Sequence, residues 1–195
     1  MRNRVSGSKF KVQSLKFKVQ SFGVLVLFLI FLFSCRQYHT QQSAQDAKST
    51  EYQKIEEAML CVNQQLVEED DREIEMFAKR KGWQMQTTGS GLRYMTYRHG
   101  QGKKTISGKV VTLAYTVSLL DSTICYSSEQ SGLKKFKLGR GGVEAGLEEG
   151  VLLMRVGDKT RMIMPPYLAH GLTGDGDCIP YRAIILYDVE LMKVE

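Results

Sequence analysis

The sequence predicts an α+β fold in which an antiparallel β-sheet curls over one short helix. Apolar and polar residues alternate over 109–120, which is typical of a strand with one buried face. Apolar residues then recur at helical spacing over 143–153, and strand-like alternation returns over 187–191. A longer segment with helical spacing precedes these elements, so the predicted domain has an N-terminal helical segment.

Changes in composition divide the chain into four predicted segments. The second is rich in Gln, Ser, Ala and Thr with little to bury, which predicts a flexible tether. The segments are a lipoprotein signal peptide over 1–35, the tether over 36–50, a helical segment with a joint over 51–91, and a folded domain over 92–195.

The first segment has the pattern of a bacterial export signal. Six Lys or Arg residues precede an apolar run over 22–33, which is shorter than the about 20 residues that a membrane-spanning helix needs. Leu32-Phe33-Ser34-Cys35 resembles a lipobox, whose cysteine is acylated. We therefore expect a lipid anchor at Cys35 on a bacterial membrane, facing the periplasm or the outside. An uncleaved signal anchor is the alternative.

The basic balance of the chain belongs to that first segment. The whole sequence has 27 Lys and Arg residues against 21 Asp and Glu residues, and the remainder is neutral without the six in the signal. Composition therefore gives no reason to expect a nucleic-acid partner.

The helical segment has a narrow apolar stripe. Apolar residues recur at spacings of three and four as far as Leu66 and again at Ile74 and Phe77. The pattern predicts one helix ending near Lys81, or two helices with a bend near Asp70. The helix either packs against the domain or serves as a dimerisation arm, and the narrow stripe favours packing.

The domain contains several predicted strands around one predicted helix. In the helix Val143, Leu147 and Val151 form the apolar face, and Glu144 is expected on the solvent side. A loop over 167–182, rich in Gly, Asp and Pro, overhangs the helix. The strands are expected near 92–96, 109–120, 123–127, 134–138, 159–164 and 187–191.

Five motifs in chain order resemble FKBP-type peptidyl-prolyl cis-trans isomerases. They are V-x-x-G-L-x-E-G from Val143, M-x-V-G-x-K from Met154, P-x-x-A-H-G ending at Gly171, Ile179-Pro180, and the terminal Tyr187-Asp188-Val189-Glu190-Leu191. The resemblance covers roughly 109–195. The preceding segments resemble lipoprotein isomerases of Gram-negative bacteria, including ones associated with gliding motility.

This resemblance implies an FKBP-like fold and a cleft that isomerises X-Pro bonds. Such bonds face a barrier of about 18–20 kcal/mol, which falls when an apolar pocket desolvates and twists the imide. No cofactor is expected. At Glu144 the family usually has an aliphatic residue, and at Lys134 an aromatic one. The implied cleft residues are Tyr115, Tyr126, Val143, Glu144, Leu147, His170, Ile179 and Tyr187.

The expected partners are unfolded or partly folded exported proteins that contain proline. The alternative function is a catalytically weak binding module or chaperone that uses the same cleft to hold proline-containing segments. A dimer through the N-terminal helix is a further expectation from related secreted isomerases.

Two cysteines border the implied cleft. The resemblance places Cys125 and Cys178 on neighbouring segments, so a disulfide is one interpretation. The favoured interpretation is that both are small buried apolar fillers. His170, Asp175, Asp177 and Cys178 lie close in sequence, but the glycines among them indicate turns rather than a metal site.

Overall fold

The computed structural model describes residues 50–195. The predicted signal peptide, its Cys35 and nearly all of the predicted tether lie outside the described residues. The chain divides into two compact units, residues 1–61 and 62–195, and the fold below is that of the second. Within residues 50–195, no helix combines the length and the apolarity that crossing a bilayer requires.

The first helix, α1, runs over 50–81 and ends at Gly82, whose φ is 66°. Its helical hydrogen bonding continues through Asp70, so the alternative of two helices is wrong. In the second unit, Ile74 and Phe77 of α1 are buried against Ile163 and Ile184. The C-terminal part of α1 therefore packs on the domain, as the narrow apolar stripe predicts.

The domain is built on one antiparallel sheet, which has seven strands in the described part of the chain. The strands are β1 Gln86–Thr87, β2 Arg93–Arg98, β3 Val110–Leu119, β4 Ile124–Ser127, β5 Lys134–Lys137, β6 Lys159–Met164 and β7 Ile185–Val194. Their order in the sheet is β1-β2-β6-β7-β3-β4, and β5 also pairs with β3. The fold class predicted from the sequence is confirmed.

Three short helices connect these strands. They are α2 Ser128–Ser131, α3 Ala145–Leu152 and a 3-10 helix Pro166–Leu168. The helix predicted over 143–153 thus begins two residues later, because Glu144 has extended dihedral angles and only caps it. Pro165 ends the preceding strand β6, since proline provides no N–H for the ladder.

The core lies between α3 and one face of the sheet. Alternate residues of β7 point to this face, and Ile185, Tyr187, Val189 and Leu191 are all buried. The helix approaches the sheet closely because it carries glycine at the contact. A Cβ on Gly150 would lie 2.4 Å from the Met162 Sδ.

Candidate functional site

The elements around α3 bring most of the predicted cleft residues together. Leu147, Ile179 and Tyr187 belong to one buried core cluster, and Tyr115, Tyr126 and Val143 pack against it. The strands β3 and β7 place the Tyr115 and Tyr187 rings 6.2 Å apart. The floor of the site is therefore apolar, as the resemblance implies.

This floor is shielded from solvent in the structure. Leu147 and Tyr187 are 1% exposed or less, and Ile179 is 2% exposed. Even a water molecule does not reach Leu147 in this conformation. A proline ring is larger, so it reaches Leu147 only after side chains at the cleft mouth move. The side chains that cover the Tyr187 hydroxyl are Lys134 and Glu144.

A polar cluster stands at this mouth. The Tyr187 hydroxyl donates to Glu144 Oε1 at 2.7 Å, and Lys134 Nζ donates to the Tyr187 oxygen at 3.2 Å. Lys134 Nζ also lies 3.7 Å from Glu144 Oε2, and His170 Nε2 lies 3.3 Å from Glu144 Oε1. Three residues from β5, the loop after the 3-10 helix and β7 thus converge on one carboxylate.

The position of Glu144 corrects the sequence analysis. Its side chain is only 11% exposed, so the prediction that it faces solvent is wrong. The helical pattern does not apply to it, because φ of −58° and ψ of 139° place it outside α3. From that extended position its carboxylate points toward Tyr187 and not along the outer face of the helix.

Lys134 occupies the side of the cleft where the resemblance implies an aromatic wall. Its Nζ lies 5.1 Å from the centroid of the Tyr115 ring and 5.7 Å from that of Tyr187. Both distances suit cation–π attraction. A cation held between two rings therefore replaces the aromatic wall, an arrangement that periodicity in the sequence does not reveal.

The cluster keeps Glu144 ionised and Tyr187 protonated. Burial alone would raise the pKa of Glu144. The hydrogen bond from Tyr187, the backbone N–H of Glu144, and the nearby Lys134 and His170 together outweigh burial and lower the pKa of Glu144. Burial and the Glu144 charge raise the pKa of Tyr187. Tyr187 is therefore the donor and Glu144 the acceptor in their hydrogen bond.

Two buried polar atoms at the mouth have no hydrogen-bond partner within the described chain. They are Glu144 Oε2 and His170 Nε2. His170 Nε2 and Glu144 Oε1 are 3.3 Å apart, but their relative orientation does not form a hydrogen bond. Unsatisfied buried polar atoms are costly, so these two are the atoms best placed to bind a polar group of a substrate.

The loop that follows the 3-10 helix, residues 169–184, closes one side of the cleft. Asp175 orders it: its Oδ1 accepts from the backbone N–H of Asp177 at 3.0 Å and of Ile179 at 2.8 Å. The Tyr126 hydroxyl donates to Asp175 Oδ2. Tyr126 therefore uses its hydroxyl to hold this loop.

A disulfide joins this loop to the sheet. Cys125 on β4 is bonded to Cys178, and their Cα atoms are 5.5 Å apart. The favoured interpretation of both as unbonded apolar fillers is therefore wrong. Within residues 50–195, Cys61 is the free cysteine, and no group of three or more His, Cys, Asp and Glu side chains is arranged to hold a metal ion.

Comparisons with known proteins agree with this fold. The family model for FKBP-type peptidyl-prolyl cis-trans isomerase matches residues 102–192. FK506-binding protein 2 of Dictyostelium discoideum is 41% identical over 92 residues, which cover 47% of this chain and 69% of that protein.

Bacterial relatives extend the similarity. FKBP-type peptidyl-prolyl cis-trans isomerase FkpA of Aeromonas hydrophila is 39% identical over 119 residues, 60% of this chain, but the match spans only 42% of that protein's length. The crystal structure of FkpA from Escherichia coli is 26% identical with a TM-score of 0.57, covering 97% of this chain and 75% of that one. The chain belongs to the FKBP-type peptidyl-prolyl cis-trans isomerase family.

Proposed function

We propose that this protein catalyses the cis–trans isomerisation of X-Pro peptide bonds. The observation that carries the proposal is an apolar floor of Leu147, Ile179 and Tyr187 beneath an unpartnered buried nitrogen of His170. The floor desolvates the imide, which weakens its double-bond character. A ring N–H at His170 Nε2 donates to the carbonyl as it twists, and no proton is transferred.

The same geometry requires the mouth to open before substrate binds. The Glu144 carboxylate accepts from the Tyr187 hydroxyl and pairs with Lys134, so it covers part of the apolar floor. Displacing it separates it from Lys134 and Tyr187, and separating a partly buried ion pair is costly. We therefore expect slower catalysis than an open cleft gives.

A second function is supported by exposed apolar side chains on loop 169–184. In this alternative the protein is a weak catalyst that uses the same cleft to hold proline-containing segments of envelope or motility proteins. The exposed Leu172 and Tyr181 of loop 169–184 support it, since they offer apolar contacts to an unfolded segment outside the cleft.

The proposed location is the bacterial cell envelope. The export signal and the lipobox at Cys35 support this location, and diacylation supplies the two chains that stable anchoring needs. The Cys125–Cys178 disulfide also suits an oxidising compartment. The proposed subgroup is that of lipoprotein isomerases, including those associated with gliding motility. Its proposed clients are exported proteins that contain proline and are not yet folded.

A dimer through α1 is a further part of the proposal. In the second unit, Val62 of the apolar stripe is exposed on α1, so its side chain is available for contact with a second copy. Sedimentation of the purified protein tests this point: a monomer at high micromolar concentration contradicts it.

The function is tested with a short Ala-Pro peptide whose cis and trans forms differ in absorbance. The purified protein is expected to accelerate relaxation at substoichiometric concentration. A rate equal to that of buffer, combined with peptide-induced shifts of Tyr187 signals in an NMR titration, would favour the binding module. Neither acceleration nor shifts would mean that the cleft takes no proline peptide.

A further inference from the structure

We propose that Asp70 of α1 is a positioning residue for the cleft, acting through its ion pair with Arg182 at the base of loop 169–184. The inference rests on the proposed function, because it assigns a task to a residue outside the cleft. Asp70 lies 112 positions from Arg182 in the sequence. Its side chain pairs with Arg182, and its effect passes through the loop that carries His170 and Ile179.

The Asp70–Arg182 pair is partly buried. Arg182 Nη2 donates to Asp70 Oδ1 at 2.9 Å, and the two side chains are 28% and 10% exposed, respectively. Charge-assisted hydrogen bonds of this kind are stronger than neutral ones and are screened less when buried. The contact therefore differs from a solvated surface pair, whose geometry is easily lost.

Arg182 lies at the neck of loop 169–184, the point at which the two ends of the loop come together. Its backbone N–H donates to the Gly171 carbonyl at 3.2 Å, which joins the two ends of the loop. Its φ is 52°, in the left-handed region that residues other than glycine seldom adopt. Such a conformation persists when surrounding contacts impose it, and the Asp70 carboxylate is the contact that holds this side chain.

The neck is linked directly to the cleft on one side and to α1 on the other. His170 directly precedes Gly171 in the chain. The hydrogen bond between Arg182 and Gly171 therefore lies one residue from the imidazole whose Nε2 has no hydrogen-bond partner within the described chain. On the exit side Ile184 is buried against Ile74 and Phe77 of α1. One ionic and one apolar contact from α1 thus fix the point at which loop 169–184 leaves and rejoins the domain.

A neighbouring ion pair provides a matched control. Asp71, the next residue of α1, accepts from Arg93 Nη2 at 3.0 Å, and Arg93 lies on β2. Asp71 is 42% exposed, and β2 carries none of the proposed cleft residues. If Asp70 acts only through general stability, substitution at either position changes global unfolding alone. If it positions the loop, only the Asp70 substitution changes the cleft.

The experiment uses the full chain with Asp70→Asn, Arg182→Gly and Asp71→Asn. Arg182→Gly removes the guanidinium at a φ that glycine adopts freely, so it tests the contact with little risk to folding. The measurements are KM and kcat for the Ala-Pro peptide, urea unfolding, and hydrogen exchange at the amides of residues 179 and 182. Hydrogen exchange reports how often these amides of the loop open to solvent, and this measurement does not require catalytic activity.

Asp70→Asn and Arg182→Gly are expected to raise KM by about 2- to 30-fold, the range for coupling through a packed network, with a smaller change in kcat. Both are expected to speed exchange at residues 179 and 182, whereas Asp71→Asn leaves KM and exchange at wild-type values. If both test variants fold and match Asp71→Asn in KM and exchange, the inference is wrong. If the wild-type protein is inactive, the proposed function is wrong. The inference is then decided by whether hydrogen exchange at residues 179 and 182 is faster in Asp70→Asn and Arg182→Gly than in Asp71→Asn.

Discussion

Breaking the Cys125–Cys178 disulfide is expected to lower the free energy of unfolding by several kcal/mol. The two cysteines are separated by 53 positions, so the bond closes a long loop in the unfolded chain. For a loop of this length the chain-entropy relation gives about 4 kcal/mol at 25 °C. Measured effects of disulfides are typically 2–4 kcal/mol, so we expect about 3 kcal/mol here.

The assay is urea unfolding of the oxidised protein with and without a dithiol reductant. Reduction is expected to lower the transition midpoint by about 1 M or more, given m-values of about 1–3 kcal/mol/M for small domains. The double variant Cys125→Ser, Cys178→Ser is expected to have the transition midpoint of the reduced protein, and the reductant is expected to leave that midpoint unchanged. Cys61→Ser serves as control, because Cys61 is exposed and unbonded.

Two results would refute this reasoning. Mass spectrometry that finds free thiols at both Cys125 and Cys178 in protein from an oxidising compartment would show that the bond does not form there. A stability change below about 1 kcal/mol on reduction would show that the bond does not restrict the unfolded chain as the entropy relation requires.

Three other predictions follow from single contacts. Gly150→Ala is expected to lower the free energy of unfolding by about 1–3 kcal/mol in urea melts, because the new methyl overlaps Met162. The lowered pKa of Glu144 means that its ionised form stabilises the fold above its ordinary pKa of 4.5, and this stability is lost as the pH falls through the lower folded-state pKa. Glu144→Gln should therefore lose less stability than wild type on acidification below pH 4.5, and an equal loss would contradict this assignment. Cys35→Ala is expected to leave an uncleaved precursor without incorporated acyl chain, and labelled lipid on that variant would refute the anchor.

Local patterns in the sequence were sufficient to predict most of the strands and the short helix of the fold. Alternation identified β3 and β7, because each has one face on the core and one outside it. It missed β1, whose two residues Gln86–Thr87 are both exposed and carry no pattern. It also gave β7 too short a span, since the strand continues at both ends of the predicted run 187–191.

The site was less predictable because its geometry depends on contacts between distant residues. The resemblance named the proposed cleft residues, but it could not show that the Glu144 side chain turns inward, since that follows from its extended dihedral angles before α3. The Asp70–Arg182 pair joins residues 112 positions apart, and no periodicity connects them. Long-range pairings of this kind are visible only once the chain is folded.

The measurement that tests the central claim most directly is the rate of cis–trans relaxation of an Ala-Pro peptide with wild-type protein and with Glu144→Ala. Because the Glu144 carboxylate occupies the mouth through its contacts with Tyr187 and Lys134, wild type is expected to accelerate relaxation, and Glu144→Ala, if folded, to do so more strongly. Relaxation at the buffer rate with both proteins, each shown to be folded, would contradict the assignment of this cleft as a peptidyl-prolyl isomerase site.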